Sequence, residues 1–394
     1  MWLKLAIVVG ILLFLLAIRV NLSLAILIPG ILLAILSRMS LSEILTSSYK
    51  SLTDYYTLRL FAIIYLVLLL VEIQKYKGSL QQLVKGMEGL FGNKWLTITF
   101  SPALIGLLPM PGGALVSAPV LNEALPEENV SPELKTFINF WFRHIWEYFW
   151  PLYQGFLVTV AIFGIKTVEL MKNQFYFTAI AAILGYLSLL IAFPKLKANG
   201  ERVNTKKAAA SLLRGTWEIL LIVILILGLK LDLLISLSLV VLFSLFLSIP
   251  NSRKPAIIKQ AFNLRLLLLL GSVMLFKGYI MDSEISRFLK STISGSSGIL
   301  PVLLVSIPFT IGFLTGVNTA FAGIAFPLFV PIVGHNINQI SLLYISGFSG
   351  VLLSPLHLCL VLSAEYYEAK LIRVYKYLTI PVMVILVLAI IIFA

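Results

Sequence analysis

Continuously apolar runs of roughly 16 to 22 residues follow one another along this chain, the length a helix needs to cross a hydrocarbon core near 30 Å thick. No other feature narrows the fold as much. Backbone groups in a bilayer must be satisfied within helices or within a closed barrel, and a barrel would need short stretches that alternate apolar and polar residues. These runs do not alternate, so an all-α polytopic membrane protein is expected. Composition agrees, since 394 residues with 60% hydrophobic content, 12% charged and mean hydropathy +1.02 carry too little polar surface for a soluble globule. The net charge of +13 comes from Lys and Arg scattered through short loops, where it orients the chain against a lipid bilayer, and no nucleic-acid partner is expected.

Crossings are expected near 2–18, 21–37, 59–74, 136–163 and 175–193, then near 215–229, 231–249, 264–281, 340–363 and 374–394. That gives about ten transmembrane helices. Two more apolar segments, 96–121 and 299–333, are broken near their centres by the runs PMPGG, from Pro109, and TGVNT, from Thr315. Each is expected to fold back as a re-entrant hairpin. Lys4 precedes an apolar run much as in a signal peptide, but no small-residue cleavage pattern follows, so the first 20 residues read as the first span. Short amphipathic pieces at 79–92 and 282–292 precede the hairpins and are expected to lie along the interface. The single cysteine, Cys359, excludes an intramolecular disulfide and a Cys-rich metal site and reads as a small packing residue.

The interior pattern occurs twice. A shift of 206 superposes Arg59 on Arg265, Pro102 on Pro308, Gly106 on Gly312 and Ala114 on Ala320, while Pro151 meets Pro355 at a shift of 204. Five crossings per half is an odd number, so consecutive copies enter the membrane from opposite sides and the repeats are inverted. Residues 1–193 form repeat 1, 194–214 a cytoplasmic linker and 215–394 repeat 2. Lys and Arg concentrate in 75–95, 194–214, 250–265 and 364–376, which this arrangement puts in the cytoplasm, with both termini outside a cytoplasmic membrane. The acidic segment 122–135 would also be cytoplasmic and carries little topological weight. Paired halves with interrupted apolar segments are the sequence sign of a carrier that binds its solute between repeats.

Helix breaks at membrane depth need partners, because an unsatisfied backbone group in hydrocarbon costs several kcal/mol. Candidate contacts for a solute therefore gather at four breaks. The first tip offers Pro109, Pro111, Gly112 and Gly113, with Ser117 just beyond, and the second offers Thr315, Gly316, Asn318 and Thr319. Half-helix N-termini after Gly113 and Asn318 suit an anion, and Asn318 is well placed as an N-cap. Capping alone would also account for the second tip. Pro151 and Pro355 release carbonyls and kink their helices, beside Tyr153 in one case and beside Ser354 and His357 in the other.

The segment NFWFRHIWEYFWPLYQG concentrates polarity. On a continuous helix Asn139, Arg143, Glu147 and Gln154 share one stripe, with Trp150 on the same side. An Arg143–Glu147 pair is the economical structural reading; in the functional one Arg143 meets an anion and Glu147 carries a proton or shapes a cation site. His144 points about 100° from the Arg143 face and reads as a packed histidine. His357 suits either a solute contact or a buried neutral ring bonded to a released carbonyl, and His335 reads as a loop residue.

Three spans, a hairpin, a span broken at mid-depth and a closing span, repeated inverted, resemble the ion transporter superfamily of elevator-type secondary carriers. IGLLPMPGGALVSAPVLNEA followed by NFWFRHIWEYFWPLYQG looks like a prokaryotic membrane-protein branch of it, distantly similar to gluconate permeases and dicarboxylate carriers. The resemblance implies a fixed scaffold domain, a moving transport domain made of hairpins and broken helices, and often a homodimer. Sodium-coupled members carry Ser-Asn-Thr at hairpin tips; here Asn318 and Thr319 remain but Val317 replaces Ser, so Na⁺ near Asn318 and Thr319 and H⁺ are both open as coupling ions.

The expected function is cation-coupled secondary active transport of a small organic anion, with no cofactor beyond the coupling ion and no enzymatic step. A channel would need a continuous polar path, whereas polarity here is confined to the breaks. An intramembrane enzyme using Glu147, His144 or His357 would need a nucleophile–base pair or an HExxH run that the chain lacks.

Overall fold

The computed structural model describes residues 1–90, 94–108, 113–125, 130–192, 205–294 and 298–394. It is 85% helix with no strand among the described residues. Helices α1 (Trp2–Ala17), α2 (Leu22–Leu36), α3 (Leu41–Thr53), α4 (Tyr55–Lys77) and α5 (Ser79–Leu90) come first. Local chemistry fixes their ends. Asn21 caps α2 by accepting the Ser23 N–H, Ser40 and Glu43 form a reciprocal capping box on α3, and Gly78 at φ 64° closes α4 in the left-handed conformation. Next are α6 (Lys94–Gly106), α7 (Ala114–Ala124), α8 (Pro132–His144), a 3-10 turn at Ile145–Tyr148, α9 (Gln154–Phe163) and α10 (Thr167–Ala192).

The second part comprises α11 (Thr205–Val223), which runs through a π turn at Ile224–Gly228, then α12 (Leu233–Ser248), α13 (Lys254–Gln260), α14 (Leu264–Asp282) and α15 (Glu284–Ser294). It ends with α16 (Ile299–Thr315), α17 (Asn318–Val333), α18 (Ile337–Leu352), α19 (Leu358–Tyr366) and α20 (Leu371–Phe393). Five rods, Tyr55–Lys77, Thr167–Ala192, Lys206–Gly228, Leu264–Asp282 and Leu371–Phe393, are long and apolar enough to cross a membrane. Ile191, Phe246, Leu247, Ile380 and Ile391 project from the outside of the bundle, an arrangement favourable only in an apolar medium. The chain is an α-helical membrane protein.

Several expectations change here. Residues 205–214 of the anticipated linker are the first turns of α11, and 194–204 lie outside the described residues. Helix α3 occupies a stretch read from sequence as a connection; its polar Ser and Thr content hid a helix that rests on α14. The amphipathic piece expected at 79–92 forms α5 over its described residues, and it packs against α11, with Gly86 against Leu212 and Gly215 against Leu83. The segments expected to be broken are each two helices. Their limbs, α6 with α7 and α16 with α17, pack on one another.

Helices from the early and late parts interleave throughout. α2 packs on α14 and α12 on α4; α9 packs on α17 and α19 on α7. Close approach depends on glycine. A Cβ at Gly106 would collide with the Arg143 carbonyl, one at Gly312 with the Gly347 carbonyl and one at Gly350 with the Phe309 carbonyl. Small residues at helix crossings let backbones touch and replace the hydrophobic drive that lipid does not supply. A buried aromatic layer of Phe137, Phe140, Trp141, Tyr148, Phe156, Phe321, Tyr344 and Phe348 lies around the ends of α8, α9 and α18. The chain breaks open beside it.

Candidate functional site

Proline sets the first break. Its missing N–H and its clash with the preceding residue stop a helix from running through Trp150-Pro151, so the chain leaves α8 through the 3-10 turn and re-enters helix at Gln154. The Trp150 N–H bonds to the Trp146 carbonyl at 2.9 Å, which keeps the break tight. At the second break the Ser354 hydroxyl accepts the Leu356 N–H at 3.2 Å, and α19 begins after His357. The tip between α16 and α17 is Gly316-Val317. Gly316 sits at φ +65°, and a Cβ there would stand 2.7 Å from the His357 N, so both conformation and space demand glycine.

Both breaks and this tip border one cavity of about 270 Å³. Arg143, His144, Glu147, Tyr153, Gln154 and Gly155 line it from the early part of the chain, and Gly316, Asn318, Thr319, His357 and Cys359 from the late part. Four of its ionisable side chains are almost sealed from solvent: Arg143 and His144 are 2% exposed, Glu147 3% and His357 9%. Groups so enclosed persist only with partners.

Several of those partners cross between the two parts. The Asn318 amide donates to Oε2 of Glu147, while the Tyr344 hydroxyl holds the Glu147 backbone carbonyl at 2.7 Å. Asn318 Oδ1 is buried with no hydrogen-bond partner among the described residues. Arg143 Nη1 lies 3.4 Å from Cys359 Sγ, and Gly113 leaves room for the guanidinium, since a Cβ there would come within 2.5 Å of Nη2. His144 Nδ1 lies 2.5 Å from the Phe140 carbonyl and His357 Nδ1 2.9 Å from the Gly316 carbonyl. The two rings then meet through Nε2 at 3.1 Å.

Of the residues singled out from sequence, Arg143, Glu147, Tyr153, Gly316, Asn318, Thr319 and His357 come together around this cavity, and Gly113 backs it. Pro109, Pro111 and Gly112 lie outside the described residues. Others do local work. The Ser117 hydroxyl bonds within its own helix, that of Thr315 bonds to the Ile311 carbonyl, and Ser354, Pro151 and Pro355 shape the turns. Asn139 faces elsewhere, donating to the Ala114 carbonyl at 3.0 Å and to Ser363 Oγ at 2.9 Å, which ties α8 to α7 and α19. The single-stripe expectation fails past His144 because the α-helix ends there; Trp150 turns its indole to the Leu107 carbonyl. Nor is Asn318 an N-cap. Val317 takes that position, and the Asn318 side chain crosses to Glu147.

Among the lining residues absent from the sequence-based site, two bear on its chemistry, His144 and Cys359. His144, about 100° from Arg143 among aromatic neighbours, reads from sequence as a packed ring, and Cys359 as a small packing residue. The available signal was proximity to proline, since Cys359 falls in the first turn after the Pro355 break, one residue beyond the neighbour of His357. The resulting cavity has two chemical sides. Glu147, Asn318 Oδ1 and Thr319 offer oxygen, which suits a hard cation or a proton, while His144, His357 and Cys359 offer nitrogen and sulfur. Arg143 adds fixed positive charge.

A protein-family model described as "Protein of unknown function (DUF401)" matches residues 2–394. No curated protein matches the chain.

Proposed function

We propose, for a chain that belongs to the DUF401 family, secondary active transport of a small organic anion, coupled to H⁺ or Na⁺ and carried out by an elevator motion. The observation that carries this reading is the convergence of two helix breaks and a hairpin tip on one buried cavity with a cationic guanidinium on its wall. Discontinuous helices with free termini around a shared cavity are how carriers bind a charged solute within a bilayer. In this reading Arg143 attracts the anion, and Glu147 with Asn318 and Thr319 serves the coupling ion.

The same reading takes residues 1–193 and 215–394 as inverted repeats with about ten crossings, α6–α7 and α16–α17 as re-entrant hairpins, and both termini outside the cell membrane. Reciprocal contacts favour it. Gly106 against the Arg143 carbonyl and Gly312 against the Gly347 carbonyl are one contact repeated at shifts of 206 and 204, the shifts that align the sequence. The exchanged pairs α2–α14 with α12–α4, and α9–α17 with α19–α7, fit a pseudo-two-fold relation. On this reading the chain is built like a member of the ion transporter superfamily and assembles as a homodimer.

The test is a thermal-shift screen of purified protein against small mono- and dicarboxylates, with and without Na⁺ and across pH, followed by counterflow of any hit in proteoliposomes. A hit should stabilise the wild type but not Arg143→Ala or Asn318→Ala, and flux should saturate and show exchange. Full stabilisation of both variants, or linear flux without exchange, would refute the assignment.

A further inference from the structure

The two histidines that face each other across the cavity pose a proton-counting problem. A carbonyl oxygen only accepts, so Nδ1 of His144, against the Phe140 carbonyl, and Nδ1 of His357, against the Gly316 carbonyl, must both carry hydrogen. In the neutral rings Nε2 is then a bare lone pair on each. These two lone pairs point at one another across 3.1 Å, a repulsive arrangement unless something positive lies between or beside them.

A third donor selects what that is. Cys359 Sγ belongs to the same group, and the three ligand atoms all lie within 4.8 Å of one another. Two imidazole nitrogens and a sulfur are the donor set of a borderline-to-soft transition-metal ion. With metal–nitrogen bonds of 2.0–2.1 Å, tetrahedral coordination separates two nitrogens by about 3.3 Å, close to the spacing found. The surroundings match as well. Metal-binding histidines characteristically donate their other N–H to a carbonyl or carboxylate, which fixes tautomer and ring orientation. Both rings do so here, and the Arg143 guanidinium lies beside Sγ.

We propose that His144 and His357 through Nε2, with Cys359 through Sγ, bind one divalent metal ion of the Zn²⁺ class inside the cavity. Binding displaces the thiol proton of Cys359 to solvent and forms one metal–sulfur and two metal–nitrogen bonds, with no change of oxidation state. Glu147 Oε1, 3.6 Å from His144 Nε2, borders the site. The assignment rests on ligand geometry and not on the transport reading, so either can fail alone.

The chain has one cysteine and three histidines, which makes the test specific. Metal-stripped, untagged protein in detergent is titrated with Zn²⁺ by calorimetry and with Co²⁺ by absorption. One ion per chain should bind with Kd below about 1 µM, with proton release, and Co²⁺ should give a thiolate charge-transfer band that only Cys359 can supply. Cys359→Ser should abolish the band and His357→Ala should weaken binding by roughly 10-fold or more, while His335→Ala changes neither. Alkylation of Cys359 in the unmutated protein, slowed by Zn²⁺, gives a readout that no folding defect can mimic. Absence of saturable binding up to about 100 µM, or a Co²⁺ complex without the thiolate band, overturns the proposal and leaves a shared proton as the occupant of the His–His gap.

Discussion

Replacing Gly155 by alanine probes the contact on which the cavity depends, where the start of α9 meets the tip between α16 and α17. A Cβ at Gly155 would lie 2.7 Å from Asn318 Cβ and 3.2 Å from the Asn318 backbone C and O. Ordinary carbon contacts begin near 3.4 Å, so the tip must retreat by roughly 0.7 Å. Overpacking of this kind costs about 1–3 kcal/mol, against which a glycine-to-alanine change in a helix returns at most about 1 kcal/mol. The net expectation is about 1–2 kcal/mol of destabilisation, read as a lower Tm. On the proposed reading solute binding should fall further than stability, because Asn318 moves away from Glu147 and a displacement approaching 1 Å at such a site can cost about 100-fold. Gly10→Ala is the control. No described residue lies within 4 Å of its Cβ position in the middle of α1, so it should melt at or above the wild-type temperature. If Gly155→Ala melts with Gly10→Ala, or binds and exchanges solute like wild type, the close approach of α9 to the tip is not as described.

Other sites give independent checks. Glu218 is fully buried against Lys77, so Glu218→Ala should cost about 3–5 kcal/mol by leaving Lys77 uncompensated, whereas Lys77→Met with Glu218→Leu should recover most of the loss in a thermal melt. Tyr344→Phe strips the Glu147 carbonyl of its 2.7 Å donor and should lower stability by about 1–3 kcal/mol; an unchanged melting curve would mean that water or another donor replaces it. The backbone N–H and hydroxyl of Ser40 hold the Glu43 carboxyl below its ordinary value of 4.5. A lowered folded-state value contributes stability above the unfolded value and loses it as pH falls through the folded one. The start of α3 should therefore fray on acidification below pH 4.5, seen as faster amide exchange after correction for intrinsic rates, and Glu43→Gln should remove that pH step.

Helix positions were legible because apolar period and proline chemistry act locally. Pro151 and Pro355 mark both broken helices, and Gly316 marks the tip, for reasons that require no tertiary information. Side-chain destinations were less legible. Asn139 and Arg143 share a face of α8, yet one meets Ala114 and Ser363 and the other Cys359, because different helices pack at the two levels. His144, in the last turn of α8, joins Arg143 at the cavity because His357 and the Gly316 tip pack against it, contacts that periodicity does not encode. Asn318 was read as a cap because capping is what an Asn after Gly-Val does locally, whereas its actual partner lies 171 residues away. Helix α3 lacks the apolar run that marks a span and is held by contacts to α14.

Crosslinking across the cavity tests most directly whether the breaks of the two halves meet there. With Cys359 changed to Ser, the chain holds no other cysteine, so Glu147→Cys and Asn318→Cys can be introduced as a pair and a protease site placed within residues 194–204. The hydrogen bond between Glu147 and Asn318 predicts that a short thiol crosslinker keeps the cleaved halves together on a denaturing, non-reducing gel. Halves that separate as completely as those of either single-cysteine protein would contradict the shared cavity.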